Sequence, residues 1–144
     1  MYKRQGVARV TDFGIAKCVE SSDPGTSRET LKGKIGYMAP EYLRGEPIDR
    51  RADVFALGVV LWEALCGRRL FRAQTDGETL ERVLSSPIPT VSEAAPELAV
   101  LDAVVARAVE RAREARFATS AELARVLVQT AASCLLYTSP SPRD

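Results

Sequence analysis

The chain has 144 residues, 46% of them apolar, and its 20 basic and 19 acidic residues leave a net charge of +1. This length and composition predict one ordinary globular domain with a buried core. The charges are interspersed, with no basic block and no aromatic series, which argues against a nucleic-acid partner. The sequence contains no histidine, which excludes imidazole general bases and histidine-ligated metals.

The cysteines and the apolar segments bear on location. Cys18, Cys66 and Cys134 lie far apart without a C-x-x-C pair, a pattern that fits reduced cytoplasmic thiols better than disulfides or a zinc site. The first residues lack the apolar segment of a secretory signal. The longest apolar run, residues 54–65, is shorter than the about 20 residues that cross a bilayer. We expect a cytoplasmic location without membrane contact in this segment, and leave open a tether elsewhere in a longer protein.

The two ends of the sequence differ in character from its middle. Residues 1–5 and 134–144 resemble translated sequencing-adapter stretches, so we predict that they are not native and that residues 6–133 form the domain. For the Pro- and Ser-rich tail, a linker to another domain is the alternative interpretation.

The first predicted element is a short strand over residues 7–10, which leads into Asp12-Phe13-Gly14. The Asp12 carboxylate is a candidate ligand for Mg²⁺, a hard cation that prefers oxygen. Gly14 is a permissive hinge next to it. Taken alone, the tripeptide is more typical of a turn that ends a strand than of a metal site.

The next segment, residues 18–31, is rich in Ser, Thr, Asp and Gly and is predicted to be a surface loop. Thr26, Ser27 and Thr30 are candidate phosphorylation sites, because Arg28 and Lys32 are close enough in sequence to pair with an added phosphate. An unmodified polar loop explains any single one of these hydroxyls as well.

Two helices are predicted after that loop. Pro40 and Glu41 suit the first turn of a short helix, which residues 45–47 interrupt. Asp49 is a candidate N-cap for a long helix over about residues 50–66, whose apolar side chains lie nearly all round the axis, as in the central helix of a bundle. Gly67 is expected to end it.

Further helices complete the chain. A capping-box pattern at residues 75–78 opens a short helix that ends before two prolines, and residues up to Pro96 are predicted to be a connecting loop. Apolar residues recur at helical spacing over residues 98–109, and a second capping-box pattern at residues 119–122 opens the last helix. One short strand followed by helices predicts a mainly α domain with a short β segment at its N-terminus.

The D-F-G motif at residues 12–14, the A-P-E motif at residues 39–41 and the helices that follow resemble the second half of a protein kinase domain, especially that of bacterial serine/threonine kinases. The resemblance covers about residues 7–128. It implies the C-terminal lobe of a two-lobed α+β fold, whose intact parent transfers the γ-phosphate of ATP to Ser or Thr hydroxyls of protein substrates. Asp12 would hold Mg²⁺, Asp12, Phe13 and Gly14 would face the nucleotide, and residues 12–41 would form the activation segment.

The resemblance also implies structural roles. Glu41 would pair with Arg116, a match found in the late helical region, although two unrelated surface charges are the alternative. Asp53 and Gly58 match the family's D-x-W-x-x-G, with Phe55 in the Trp position. Asp53 would be a buried support for the catalytic loop, or else a plain acid at a helix start.

A loop facing the protein substrate is implied just before the A-P-E motif. It comprises Gly33, Lys34, Ile35, Gly36 and Tyr37. Lys34 stands where the family usually has Thr, a departure that leaves the contacts to the acceptor and the Ser/Thr assignment open.

Several family parts precede D-F-G and are not found in this sequence: the Gly-rich loop, the strand Lys with its partner Glu, and the H-R-D loop. We therefore expect the chain alone to be inactive, to bind ATP and Mg²⁺ weakly, and to lack the N-terminal lobe as a partner. One alternative is a kinase-derived helical scaffold or protein-interaction module. Another is an unrelated mainly α protein with chance motifs, which predicts no contact between Glu41 and Arg116.

Overall fold

The computed structural model describes residues 34–137, with side chains described through residue 134. The predictions for the D-F-G motif, the strand before it, Thr26, Ser27, Thr30 and Gly33 lie outside the described residues. Within residues 34–137 the chain is mostly helical and contains no strand, which confirms the mainly α prediction.

Six α-helices and three short 3₁₀ helices make up the described part of the chain. The α-helices are α1 (Pro40–Leu43), α2 (Arg51–Cys66), α3 (Asp76–Ser85), α4 (Val91–Ala94), α5 (Asp102–Ala108) and α6 (Ser120–Tyr137). The 3₁₀ helices are Ile35–Tyr37, Pro96–Leu101 and Arg113–Ala115.

Helix α2 is the element around which the others pack. It begins at Arg51, whose backbone N–H donates to Asp49 Oδ1 at 2.8 Å, so Asp49 satisfies one of the free donors of the first turn. It ends at Cys66, and Gly67 after it has the left-handed conformation (φ 67°) and donates its N–H to the Glu63 carbonyl at 2.9 Å. Helices α4, α5 and α6 all contact α2.

Three apolar clusters surround α2, and each contains residues from it. Their buried members are Ala39, Phe55, Val59, Phe71, Val83 and Val109 in the first cluster, Val54, Val104, Ala108, Phe117 and Leu123 in the second, and Trp62, Val91, Leu101 and Val105 in the third. This arrangement confirms that the apolar helix is central. Among the described residues its burial is incomplete, since Leu57 is 46% and Val60 is 52% exposed.

Two predicted segments differ from the observed ones. The connector before Pro96 was predicted as a loop, which is wrong in part, because α4 forms there and the Glu93 carboxylate accepts the Thr90 N–H at 3.1 Å. The apolar run at residues 98–109 is divided between a 3₁₀ helix and α5. The box at the start of α6 forms with one change, since Glu122 Oε2 accepts the N–H of Ala118 instead of Thr119.

Helix α6 continues past residue 133 to Tyr137. Over residues 34–137, none of the helices combines the length and the apolar character that crossing a bilayer requires.

Candidate functional site

The buried ion pair between Glu41 and Arg116 is the most completely bonded polar feature of the described chain. Arg116 Nη1 lies 2.6 Å from Glu41 Oε1, and Nη2 lies 2.7 Å from Oε2, so the contact is bidentate. The two side chains are 0% and 3% exposed. The structure therefore brings together two residues that are 75 positions apart in the sequence.

The remaining donors of Arg116 are also used. Nε donates to the Glu110 carbonyl at 2.5 Å, Nη1 to that of Arg51 and Nη2 to that of Arg111, both at 3.0 Å. A guanidinium has five N–H groups, and here each meets a protein oxygen. The guanidinium carbon also lies 5.1 Å from the centre of the Phe55 ring, in cation–π range. One side chain thus connects α1, the start of α2 and the segment after α5.

The charge state of Glu41 follows from these contacts. Burial by itself raises the pKa of Glu41, but the hydrogen bonds from Arg116 and the positive charges of Arg116 and Arg113 outweigh it. The pKa of Glu41 therefore lies below its ordinary value of 4.5, and the pair is ionic at neutral pH.

Asp53 does not occupy the buried position that the resemblance implied. It lies in the first turn of α2 and is exposed, and its carboxylate has no hydrogen bond or ion pair within residues 34–137. The catalytic loop that the resemblance assigns to Asp53 precedes D-F-G in the family and is not found in this sequence, and no residue within 34–134 covers this carboxylate. The supporting role of Asp53 therefore stays a prediction.

Gly58 permits the close approach of α2 and α5. A Cβ atom at this position would lie 2.8 Å from Ala108 Cβ and 2.8 Å from Val109 Cγ1. Such distances are shorter than side-chain carbons adopt, so only glycine fits between the two helices as they stand.

The loop implied to face the substrate is anchored through Tyr37. The Tyr37 hydroxyl donates to Glu63 Oε2 at 2.7 Å, and Arg69 Nη1 donates both to that hydroxyl and to Glu63 Oε2, the latter at 2.9 Å. Glu63 Oε1 accepts the N–H of Leu70 at 3.0 Å. Burial and the Glu63 carboxylate raise the pKa of Tyr37 above its ordinary 10.0, against an opposing effect of Arg69. The three side chains connect the loop to helix α2 and to the turn that follows it.

The other described residues of this loop have simpler surroundings. Lys34 and Ile35 are half-buried, and the Lys34 carbonyl accepts the N–H of Tyr37 at 2.9 Å. Gly36 faces Phe71 and Thr79 with ordinary spacing, so the loop does not depend on glycine there.

Sequence reasoning did not identify Glu63 and Arg69 as partners of Tyr37. A signal was present, because Glu63 is a charged residue within the apolar run of residues 54–65 in α2. A carboxylate that is 14% exposed on a central helix requires hydrogen-bond donors. The sequence contains many arginines, however, and the pattern alone does not tell which of them supplies those donors.

The described residues do not provide a metal site by themselves. No group of three or more acidic or cysteine side chains within residues 34–137 is arranged to hold an ion. Asp12, the candidate ligand for Mg²⁺, lies outside the described residues.

Comparisons with known proteins indicate the family to which this chain is similar. Residues 1–130 match the family model described as the protein kinase domain. Among curated proteins, the chain is 42% identical over 124 residues to the tyrosine-protein kinase MasK of Myxococcus xanthus, and 34% identical over 131 residues to the serine/threonine-protein kinase PknB of Mycobacterium tuberculosis. These alignments cover 85% and 90% of this chain and 19% and 21% of the relatives.

Solved structures give the same family. The PknI kinase domain of Mycobacterium tuberculosis superposes with a TM-score of 0.54 at 29% identity, over 65% of this chain and 34% of that one. The twitchin kinase region from C. elegans superposes with a TM-score of 0.58 at 19% identity, over 78% of this chain and 18% of that one, and supports the fold alone. The chain spans about a fifth of the length of the curated relatives it matches.

Proposed function

Because the chain belongs to the protein kinase domain family, we propose that the protein containing it transfers the γ-phosphate of ATP to Ser or Thr hydroxyls of protein substrates. The serine/threonine-protein kinases PknB, 32–35% identical to this chain, support this assignment. The observation that carries it is the buried bidentate pair of Glu41 and Arg116, which holds the A-P-E motif at the C-terminal end of the proposed activation segment.

The roles that the resemblance implies are part of the same proposal. Residues 12–41 form the activation segment, with Thr26, Ser27 and Thr30 as the hydroxyls that phosphorylation would modify. Asp12 holds Mg²⁺, and Phe13 and Gly14 adjoin it at the nucleotide. When bound, ATP supplies the phosphoryl group and Mg²⁺ neutralises the charge on its phosphates. A cytoplasmic location is part of the same proposal, because ATP is available there and because widely spaced cysteines are typical of reduced thiols.

The proposed contribution of residues 34–134 is positioning. Tyr37, fixed by Glu63 and Arg69, sets residues 34–37 of the loop against α2, where a protein substrate would lie. Asp53 would support the catalytic loop of the longer protein, and Gly58 keeps α2 and α5 close. Positioning and charge stabilisation provide nearly all of the catalysis in phosphoryl transfer. Since the Gly-rich loop, the strand Lys and the H-R-D loop are not in this sequence, the chain alone is proposed to be inactive.

A chimeric kinase tests this proposal. In it, the part of Mycobacterium tuberculosis PknB that precedes D-F-G is joined to residues 12–133 of this chain, and ATP-dependent phosphorylation of a generic protein substrate is measured. We expect phosphate transfer by the chimera, none by Asp12→Ala, and none by the 144-residue chain above a buffer blank. A folded chimera without activity would contradict the kinase assignment, and an active Asp12→Ala chimera would contradict the metal role.

A tyrosine acceptor is a second candidate. It is favoured by the 42% identity to a protein named as a tyrosine-protein kinase, and by Lys34 in the position where the family usually has Thr. Analysis of the phosphorylated amino acids made by the chimera separates the two acceptors, since phosphotyrosine alone would replace the Ser/Thr assignment.

The non-catalytic scaffold is a third candidate, and the observation in its favour is that the buried members of three apolar clusters all lie within residues 39–123. It predicts that the chain folds cooperatively alone and binds a protein partner, and that the chimera transfers no phosphate.

A further inference from the structure

A groove of about 380 Å³ lies beside the 3₁₀ helix Ile35–Tyr37, part of the loop that the proposed function turns toward the protein substrate. Its other wall is the turn between α2 and α3, which carries Arg69 and Arg72. Two arginines therefore line the wall of the groove that lies opposite this loop.

Arg69 is only partly engaged by the protein. Its Nη1 donates to the Tyr37 hydroxyl and to Glu63, whereas Nε and Nη2 have no hydrogen-bond partner within residues 34–137. The side chain is 58% exposed. Because a guanidinium carries five N–H groups, Arg69 keeps donors for a further acceptor.

Glu63 is the acidic residue that contacts Arg69, and both of its carboxylate oxygens already accept hydrogen bonds. Its carboxylate accepts the Tyr37 hydroxyl, Arg69 and the backbone N–H of Leu70, and its side chain is 14% exposed. A cationic ligand would have to break these bonds to reach it. An anionic ligand would meet the outer donors of Arg69 without disturbing them.

Arg72 adds a second, unpaired positive charge. Its side chain is exposed and forms no hydrogen bond or ion pair in the described part of the chain, while its carbonyl accepts Arg82 Nη1 at 2.9 Å, which holds the turn in place. Asp76 also lines the groove and opposes these charges, but it forms no ion pair with either arginine. Asp76 therefore weakens the positive field without occupying the guanidinium donors.

We propose that this groove selects protein substrates with an acidic side chain near the acceptor hydroxyl, and that Arg69 and Arg72 bind that carboxylate. The inference rests on the proposed function, because it assumes that the loop at residues 33–37 faces the substrate. Guanidinium groups bind carboxylates by paired hydrogen bonds, which gives geometric selection as well as charge attraction. Arg69 and Arg72 are thus specificity residues, separate from the phosphoryl-transfer chemistry.

The test is peptide binding by the 144-residue chain, measured by fluorescence anisotropy at low salt. Labelled peptides with one Ser carry Glu, Gln or Lys at each flanking position in turn. We expect the best Glu peptide to bind roughly two- to fivefold more tightly than its Gln counterpart, with Lys weakest, and the difference to shrink with added salt. Arg72→Gln is the cleaner variant, since its side chain supports no structural contact, and it should lower the Glu-to-Gln ratio.

The controls isolate the charge of the groove. Arg69→Gln should also lower the ratio, Asp76→Asn should raise it, and Arg125→Gln, an exposed arginine on α6, should leave it unchanged. An absence of Glu-peptide binding, or a ratio near one in the unmodified chain, would overturn the proposal, as would an unchanged ratio in the double variant of Arg69 and Arg72.

Activity of the PknB chimera separates this inference from the proposed function. A chimera that phosphorylates Glu, Gln and Lys peptides equally would overturn the acidic selection and leave the kinase assignment standing. Arg72-dependent binding of Glu peptides, combined with a folded but inactive chimera, would support the binding of acidic side chains in the groove and overturn the kinase assignment.

Discussion

Glu41 and Arg116 form a bidentate ion pair, with both Nη atoms within 2.7 Å of the two carboxylate oxygens, across 75 positions of sequence. Arg116 donates its three remaining N–H groups to backbone carbonyls of residues 51, 110 and 111. The pair therefore links α1, α2 and the segment that follows α5. It also excludes the interpretation of the two residues as unrelated surface charges.

Removal of either partner should destabilise the chain strongly. Arg116→Ala leaves a buried carboxylate without its cation and removes the hydrogen bonds that Arg116 donates to three carbonyls, and Glu41→Ala leaves a buried guanidinium without its anion. We expect each to lower the free energy of unfolding by about 3–5 kcal/mol, measured by urea denaturation. Arg125→Ala and Glu81→Ala, at exposed helix positions, should change it by less than about 0.5 kcal/mol. Unchanged midpoints for the two buried variants would contradict this role.

The lowered pKa of Glu41 gives the pair a defined pH dependence. A carboxyl group whose folded pKa is depressed contributes stability above its unfolded pKa, and the contribution is lost as the pH falls through the folded pKa. Glu41→Gln cannot ionise, so the difference in unfolding free energy between the unmodified chain and this variant should be largest near neutral pH. It should shrink as the pH falls below 4.5, the ordinary pKa of a glutamate, toward the lower pKa of folded Glu41.

Comparison with Glu41→Gln removes the contribution of other acids. Asp49, whose pKa is lowered to about 2 by hydrogen bonds from Arg51, titrates in both proteins and cancels in the difference. A difference that stays constant from neutral pH to the acid limit would show that the charge of Glu41 does not stabilise the fold.

Gly58→Ala should separate α2 from α5. The added Cβ would lie 2.8 Å from two carbon atoms of residues 108 and 109, so the helices must shift, at a cost of about 1–3 kcal/mol in thermal or urea unfolding. Gly77→Ala is the matched control, because a Cβ there meets no atom within 4 Å and the position is helical. The control should be neutral or stabilising by up to about 1 kcal/mol. Equal stability of the two variants would contradict tight packing at Gly58.

Local signals in the sequence predicted much of this fold. The capping box at Thr75 and Glu78 and the left-handed Gly67 appear as expected, because both depend on residues a few positions apart. Helix α4 was missed since it has four residues between prolines, too few for an apolar period to show. Its Thr90–Glu93 spacing was the available signal.

The candidate site was predictable only where a long-range pair has a recognisable motif. Glu41 and Arg116 were paired through the A-P-E resemblance, whereas Glu63 and Arg69 have no such label and meet Tyr37 only through the fold. For Asp53 the motif alone was not enough, because its predicted burial depends on the catalytic loop, which precedes D-F-G in the family and is not found in this sequence.

Tyr37 provides a direct test of the polar cluster that fixes the loop. Burial raises the pKa of Tyr37, and Glu63 raises it further, since its negative charge repels tyrosinate and its oxygen accepts the hydroxyl proton. Arg69 acts in the opposite direction. Glu63→Gln should therefore lower the pKa of Tyr37 toward 10.0, and Arg69→Gln should raise it.

The measurement is an alkaline titration of ¹³C-labelled tyrosine by NMR, in which Tyr37→Phe identifies the resonance. Glu81→Gln, an exposed substitution of the same kind on α3, should leave the titration of Tyr37 unchanged and controls for a general loss of negative charge. Shifts of the same sign in Glu63→Gln and Arg69→Gln would contradict the arrangement, because a carboxylate and a guanidinium in contact with one phenol must move its pKa in opposite directions.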